Sequence, residues 1–575
     1  MWTRRGFLAS GSALSYAQIK GANERVRIGL MGCGGRGVYD ARFARQHGNA
    51  EIVALADVYG PRIDNARKTL NEAATAYGDF RALLERKDID AVVVGAPDHW
   101  HAPMTIAAVE AGKDVYVEKP LTHSVEEGAR VIEAVRKSGR IVQVGYQQRS
   151  FPHMAEAREL IRAGRIGKVT QVLTWWNQNL AAAKMPEVDV AKLDWKGFQG
   201  NACPRPFSPW RYGDWRWFWD YGNGTMTDLF SHWIDVAHWV MGESVPLTVS
   251  GQGANQAIHW CEAPDTVSAA LQYPGRWQAS YVSTMVTGME DGGILFRGTE
   301  GALKILRPCY ELYLEGSPRD PRSHWPAPEK RVDQTREGTI DHVLNWLDCV
   351  KSRKQPNAPV ETSVDSANAA HWANEAIRSG LTLNTPPRPG AWRALFNGRD
   401  LEGWAEDTPG VWKARDGMIV GKHTGQKWND FLRTREHFDD FELELEFRLA
   451  DGVGNSGVQF RSLPAEKEHE LAGYQADIGE KYWGSLYDES RRNRTLVEAP
   501  AEAIARIDKS GWHTYAVRAL GNHITLTLDG MRTVNYTEPE RGILRRGLIA
   551  LQVHSGPGIT VEFRNLRVRE LGAWR

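Results

Sequence analysis

The run Trp210 to Trp239, WRYGDWRWFWDYGNGTMTDLFSHWIDVAHW, holds the side chains best suited to chemistry. After the turn Gly222-Asn223-Gly224 the chain lacks Gly and Pro, so the spacing predicts a helix from near Thr225 or Thr227, hydroxyl residues suited to N-capping. At ~100° per residue, Asp228, His232 and Asp235 share one face, while Leu229, Trp233, Val236 and Val240 share another. A carboxylate and an imidazole that meet in this way can exchange a proton, share a zinc ion, or satisfy one another in a core. Zinc is the weakest of these, because the spacing signals no third ligand, and no metal site is assigned.

The elements that must position this pair lie upstream. Val26 to Met31 (VRIGLM) is an apolar run ending in Gly32-Cys33-Gly34-Gly35-Arg36-Gly37, with a helical stretch from Val38. This is GxGxxG between strand and helix, the setting in which it binds a dinucleotide pyrophosphate. The next strand, Glu51 to Ala56, ends at Asp57, about 25 residues beyond Gly32. A carboxylate there accepts hydrogen bonds from the adenosine ribose and repels a 2'-phosphate, favouring NAD over NADP; the alternative is a plain turn residue. Further strands run into three loops: Ala91 to Gly95 into Ala96-Pro97-Asp98-His99-Trp100-His101, Asp114 to Val117 into Glu118-Lys119-Pro120, and Ile141 to Val144 into Gly145-Tyr146-Gln147-Gln148-Arg149. Ligands of open α/β sheets bind beyond the carboxyl ends of strands, where these loops lie.

Gly32 to Gly37, Pro97 to His101, Glu118-Lys119-Pro120 and Asp228-xxx-His232 together resemble the Gfo/Idh/MocA oxidoreductase family, over roughly Glu24 to Pro387. The resemblance implies a Rossmann domain (23–147), then an α+β substrate domain (148–383) with an open, largely antiparallel sheet whose exposed face mediates oligomers, hence a homo-oligomer. It implies Lys119, Asp228 and His232 as the catalytic group: Lys119 orients the substrate hydroxyl, His232 is the general base and Asp228 positions it. Cofactor contacts are expected from Gly32, Gly34, Gly35, Arg36, Gly37, Asp57, Pro97, His99, His101, Glu118 and Lys119. Substrate contacts are expected from Tyr146, Gln147 and Arg149, which follow a Rossmann strand, from Asp235, and from Arg216, Trp217 and Trp219, for which core packing is the alternative. The chemistry is coherent, since moving a hydride from a secondary alcohol to NAD requires the hydroxyl proton to leave, and an imidazole titrating near neutrality can take it. A lysine cation stabilises the developing alkoxide.

Asn384-Thr385-Pro386-Pro387-Arg388-Pro389-Gly390 reads as a linker (384–390). Beyond it, short alternating runs argue a β-sandwich of the jelly-roll kind: Phe441 to Leu449, Gly457 to Arg461, Thr514 to Ala519, Ile524 to Leu528, Leu548 to Val553 and Thr560 to Leu571. Leu395-Phe396-Asn397-Gly398-Arg399-Asp400-Leu401-x-Gly403-Trp404, Asn455-Ser456-Gly457-Val458-x-Phe460-Arg461, Gly473-Tyr474-Gln475 and Leu551-Gln552-x-His554 resemble the 3-keto-disaccharide hydrolase family. That family is a lectin-like sandwich similar to laminin-G and concanavalin-type domains, and the resemblance covers nearly all of Ala391 to Leu571, within a domain taken as 391–575. Arg461, Gln475, Asp477, Tyr487 and His554 are candidates for its concave face, or else hold the sandwich together. Such folds can bind calcium, but no acidic ligand loop is evident.

The 575 residues carry 71 basic and 71 acidic side chains, so there is no nucleic-acid footprint. Five cysteines without a CxxC pair exclude a zinc ribbon and a disulfide framework. The 23 tryptophans outnumber the 17 tyrosines and 16 phenylalanines, an order that suits stacking on sugar faces. Residues 1–22, with Thr3-Arg4-Arg5-Gly6-Phe7-Leu8, resemble a twin-arginine export signal, which places the protein in the periplasm or outside, or in the cytoplasm if the signal is not functional. No apolar run reaches the ~20 residues of a membrane span. The expected function is NAD-dependent oxidation of a sugar hydroxyl, at C3, coupled to glycosidic cleavage through a 3-keto intermediate, with a tightly held, recycled cofactor. The alternatives are a simple sugar or cyclitol dehydrogenase with a carbohydrate-binding sandwich, and a non-enzymatic sugar sensor.

Overall fold

The computed structural model describes residues 25–316, 327–385, 390–540 and 542–571. The signal-like segment 1–22 and the proline core of the linker, 386–389, lie outside them. The described residues form two compact units, one within 25–200, 207–246 and 253–373, the other within 201–206, 247–252 and 374–571. No helix among the described residues is long and apolar enough to cross a membrane.

The first unit begins with a six-stranded parallel sheet of β1 (Val26–Met31), β2 (Ala50–Ala56), β3 (Thr75–Tyr77), β4 (Ala91–Val94), β5 (Asp114–Val117) and β6 (Val142–Val144), in the order β3-β2-β1-β4-β5-β6. These runs are continuous in apolar residues because helices cover both faces, and β4 and β5 are buried throughout. Strand order reverses between β1 and β4. At that switch α1 (Gly35–His47) and α2 (Asp98–Glu110) begin, and their loops define the crevice where a ligand can enter.

The second sheet is largely antiparallel, as expected, with a parallel pair at its centre. Its central strand Val169–Trp176 pairs parallel with Gln278–Thr284 and antiparallel with Gly292–Gly298. The connection between the parallel pair runs through the helix-rich segment 190–241 and two further strands, Thr248–Ala254 and Thr266–Gln272, a length that a hairpin does not have. Thr266–Gln272 continues one side, and Gly301–Leu306, Cys309–Leu314 and Lys330–Asp333 the other. Val172, Thr174 and Trp176 alternate inward, which turns one face toward the helices that carry the site. Helices Gly338–Ser352 and Val360–Ser379 follow.

In the second unit two antiparallel sheets face each other. One runs in the order Trp412–Arg415, Met418–Gln426, Gly556–Glu570, Phe441–Leu449, His513–Leu520, His523–Leu528, Met531–Thr537. The other runs Trp404–Glu406, Asp430–Thr434, Leu548–Val553, Asn455–Pro464, Leu471–Gly479, Leu486–Glu489, Arg494–Val497. Phe441, Leu443, Leu445 and Phe447 from the first meet Val458, Phe460, Tyr474 and Ile478 from the second in one core. Each such side chain contributes roughly 1.5–3 kcal/mol by leaving water. The alternate positions of the second sheet therefore point away from the core; they include Gln459, Gln475, Asp477 and Gln552 beside a small apolar cluster of Phe431, Leu471 and Ala550.

Candidate active site

Sterics dictate Gly32 and Gly37 of the β1–α1 loop. Gly32 has φ +90°, and a Cβ there would stand 2.5 Å from the Ala96 nitrogen. A Cβ on Gly95 would stand 2.5 Å from Gly37 Cα, so this pair lets α1 close on the sheet. Gly35 has nothing within 4 Å of its missing side chain, and Gly34 only the tip of Arg62 at 4.0 Å. That open shelf at a helix N-terminus, with its free N–H groups, fits the pyrophosphate of a dinucleotide. Asp57 secures the loop: Oδ2 accepts from Cys33 N–H (2.7 Å) and Oδ1 from Tyr59 N–H (2.9 Å). Each oxygen keeps a second acceptor position for a ribose hydroxyl. Burial raises the Asp57 pKa, with the nearby Arg62 charge opposing it.

Several expected cofactor and substrate contacts are structural struts instead. Glu118 Oε1 accepts from Arg36 Nε (3.0 Å) and Gln147 Nε2 (2.7 Å), and Arg36 also pairs with buried Asp40 (3.0 Å). Burial opposes the Glu118 charge, but Arg36 and Lys119 outweigh it and hold the carboxyl below its usual range. Gln147 Nε2 bonds Tyr116 Oη as well (3.0 Å), so its amide nitrogen braces β5. His101 is buried between the Pro120 and Ala96 carbonyls (2.7 and 2.8 Å), fixing the lysine loop to β4. His99 bonds the Phe198 carbonyl (2.8 Å) inside an aromatic cluster with Trp100, Phe198 and Tyr221, and burial lowers its pKa to about 4. His101 has both ring nitrogens engaged, whereas His99 Nδ1 has no partner among the described residues. Pro97 caps α2 at the crevice, where a contact remains open to it.

Lys119 Nζ reaches both Oδ1 and the main-chain oxygen of Asp228, each at 2.6 Å. Arg216 Nε adds a bond to the same Oδ1 at 3.2 Å, its guanidinium lying 4.3 Å from the Trp215 ring centre. Burial works against the Asp228 charge, but Lys119 and Arg216 together keep its pKa below the ordinary value. The chain at Asp228 is a π turn, Met226–Phe230, leading into α3 (Ser231–Met241). Neither Thr225 nor Thr227 acts as an N-cap: Thr225 is helical, and Thr227 Oγ1 donates back to Gly222 and Gly224 carbonyls. The wider turn breaks the 100° spacing, so Asp228 turns to Lys119 while His232 finds another partner.

That partner is Gln148. His232 Nδ1 lies 3.0 Å from Gln148 Oε1, which makes Nδ1 the protonated nitrogen and leaves the Nε2 lone pair open. Burial first, and the Lys119 charge next, push the imidazole pKa well below its usual value, so the ring is neutral at physiological pH. Tyr146 and Trp176 wall it at centroid distances of 6.4 and 5.7 Å. Asp235, expected to face substrate, forms a bidentate pair with Arg149 (both bonds 2.8 Å) and accepts from Ser366 Oγ (2.9 Å). Both are buried, and the pair locks α3 to the β6 loop. Trp217 is core, its carbonyl accepting from Glu262 and Ala263, whereas Trp219 is half-buried with its amide on Glu262. Two site residues escaped the sequence: Gln148, and Asp98, buried near Lys119, whose carboxyl burial pushes well above its usual range. Asp98 stands at the first position of α2, the signal that would have found it.

Arg461 is not on a concave face for ligand. It is buried with φ +49°, donating to the Asp439 and Gly521 carbonyls and to Asp440, a bolt between strands. Gln475 and Asp477 do lie on the outward face of the second sheet, joined by Gln475 Nε2 to Asp477 Oδ1 (2.7 Å). Tyr487 pairs in register with Gln475. His554 follows Gln552 by two residues, its Nδ1 bonded to the Ser555 carbonyl (2.8 Å). Among the described residues no group of three or more His, Cys, Asp or Glu is placed to hold a metal ion.

Residues 26–146 match the family described as oxidoreductase family, NAD-binding Rossmann fold, and 154–304 the GFO/IDH/MocA C-terminal domain. Residues 391–569 match a 3-keto-alpha-glucoside-1,2-lyase-like domain. Among curated relatives, scyllo-inositol 2-dehydrogenase (NAD(+)) of Bacillus subtilis (strain 168) is 29% identical over 250 residues, 43% of this chain and 63% of that protein. Levoglucosan dehydrogenase of Pseudarthrobacter phenanthrenivorans is 30% identical over 178 residues, 30% of this chain and 40% of that protein. The chain thus spans less than two thirds of either relative. Two solved structures share the fold over 63% of the chain: an oxidoreductase domain protein from Kribbella flavida (TM-score 0.52, 21% identity, 99% of that chain) and levoglucosan dehydrogenase with NADH and levoglucosan (TM-score 0.50, 19%, 100%). The chain belongs, over its first two domains, to the Gfo/Idh/MocA oxidoreductase family, and joins to them a 3-keto-alpha-glucoside-1,2-lyase-like sandwich.

Proposed function

We propose that the chain oxidises a ring hydroxyl of a glycoside, at C3, with NAD, and that the resulting ketone opens the glycosidic bond to elimination at C1. The observation that carries the oxidative step is the neutral His232, its Nδ1 held by Gln148 and its Nε2 open, beside the Lys119 cation. Bound NAD supplies the hydride acceptor and, for a cleavage with no net redox change, the hydride donor. His232 Nε2 takes the hydroxyl proton, and Lys119 stabilises the developing alkoxide. Asp228 holds the ammonium in place, in contrast to the expected role of positioning the imidazole; Gln148 does that. The ketone then acidifies the C2 proton, so that the C1 substituent can leave and water can add. The lyase-like domain on the same chain supports this second half. Retention of the cofactor, export through residues 1–22 and assembly through the exposed sheet face complete the proposal.

A simple dehydrogenase is the second reading, favoured by the names of the relatives, which oxidise inositols and levoglucosan. Incubation with a panel of α- and β-glucosides separates the two. Release of the aglycone without accumulation of NADH supports the coupled route; stoichiometric NADH without release supports the dehydrogenase.

A further inference from the structure

The central strand of the second sheet ends at Trp176, and a glycine gives its indole room: a Cβ on Gly292, its partner in register, would stand 2.8 Å from that ring. The buried indole lies 5.7 Å from the His232 imidazole, centre to centre. The next residue, Gly293, pairs with Leu306, so the turn from Gly301–Leu306 into Cys309–Leu314 returns beside the same indole. That turn places the Arg307 guanidinium 4.5 Å from the Trp176 ring centre. The base and a cation are thus each one contact away from a single indole, a separation on the scale of one sugar ring. Arg307 is exposed to water, yet the protein around it, and then the Arg36 charge, lower its pKa, so it stands in the wall of the cleft. Its charge follows burial and Lys119 among the influences that keep His232 neutral. The other cations around His232 are matched: Lys119 and Arg216 share Asp228, and Arg36 has Asp40 and Glu118. Among the described residues no carboxylate pairs with Arg307, although Asp291, Glu337 and Asp228 temper the effect of its burial.

We infer that Arg307 takes a carboxylate on the substrate ring, so that the sugar oxidised in the first unit is a uronic acid residue. The inference deepens the reading above and rests on its oxidative step, not on cleavage. A planar guanidinium matches a carboxylate through two parallel N–H···O bonds. The Trp176 face steadies the cation but gives it no charge partner. One cation without a partner matches one negative charge, which favours a carboxylate over a phosphate dianion. The same anion relieves the repulsion between Arg307 and Arg36. With the carboxylate on Arg307 and the reacting hydroxyl between His232 Nε2 and Lys119, the ring is fixed at two points, whereas a neutral sugar is held at one. Two-point fixation selects which hydroxyl meets the base, and positioning of that kind lowers the barrier to proton transfer. Arg307 is therefore a specificity-determining residue: it chooses and orients the sugar, and His232 and Lys119 act on the hydroxyl.

Calorimetric titration of the full-length, NAD-loaded protein tests this by comparing uronides with their neutral parents. The probes are the methyl α- and β-glycosides of glucuronic and galacturonic acid, beside those of glucose and galactose, and nucleotide absorbance follows cofactor reduction in the same samples. At least one uronide is expected to bind about ten- to a hundredfold more tightly than its parent, the range of a hydrogen bond to a charged group. Arg307→Gln should bring that ratio to within about threefold of unity at an unchanged unfolding temperature, and Arg307→Lys should restore part of it. A uronide that binds through Arg307 while no sugar reduces NAD keeps the carboxylate site and refutes the oxidative step. Equal affinity for every uronide and its parent overturns the inference, and so does a uronide preference that Arg307→Gln leaves intact.

Discussion

Asp57→Asn tests how the first unit chooses its nucleotide without needing a substrate. The carboxylate sits at the end of β2 and holds two loop N–H groups, and Asn keeps an oxygen for one of them while removing the charge. A 2'-phosphate on the ribose would lie ~5 Å from that charge, and at an effective dielectric of ~20 each unit pair is worth about 3 kcal/mol. Neighbouring Arg62 and salt screening reduce this to roughly 1–3 kcal/mol, so the ratio of NAD to NADP affinity should fall about ten- to a hundredfold. The assay is calorimetric titration of nucleotide-stripped protein with each cofactor, with thermal unfolding as a check that the orphaned N–H, worth about 1–3 kcal/mol, has not unfolded the loop. Because burial raises the Asp57 pKa, wild-type preference should also weaken on acidification sooner than an ordinary aspartate allows. An affinity ratio within threefold of wild type would show that Asp57 only ties the loop.

Lys119→Ala should fold yet oxidise about a hundred- to a thousandfold more slowly, since the lost cation serves the alkoxide; Arg216 still neutralises Asp228. Activity within threefold removes Lys119 from the mechanism. Gln148→Glu places a carboxylate on His232 Nδ1 and should raise the imidazole pKa. The acidic limb of the kcat/KM profile should rise with it, and an unmoved limb counts against His232 as the base. His232 itself is depressed in the fold, so its contribution to stability is lost as pH falls below the ordinary imidazole value, when only the unfolded chain takes a proton. Asp477 has the opposite sign, about 8 folded against 3.8. Stability should decline as pH rises between these values, by about 1.4 kcal/mol per unit at most, and level off above. Asp477→Asn should flatten that slope in urea titrations; an unchanged slope would place the ionisation elsewhere.

The Rossmann half was legible because its signals are steric: Gly32 needs a positive φ, Gly37 must meet Gly95, and the four-residue buried run of β4 cannot be half exposed. The Lys119 and Asp228 pairing crosses 109 residues and came from resemblance, not periodicity. Periodicity failed at the helix itself, because one π turn redirects Asp228 and leaves His232 to Gln148, a bond between residues 84 apart that no local spacing encodes. Arg149 and Asp235 were misread for a related reason, since a charge that follows a Rossmann strand looks available until its buried partner is seen. In the sandwich, alternation located the strands but could not tell which polar side chains were bolts, as Arg461 is, and which were left unpaired, as Gln552 is.

The fate of the hydrogen at C2 tests the central claim most directly. A glycosidase that used two carboxylates about the anomeric carbon would leave that hydrogen untouched. Turnover of a cleaved glucoside in D2O, read by NMR of the released sugar, should instead show deuterium at C2 with no accumulated NADH, and His232→Ala should abolish label and cleavage together. Cleavage with C2 still fully protonated would contradict the redox route.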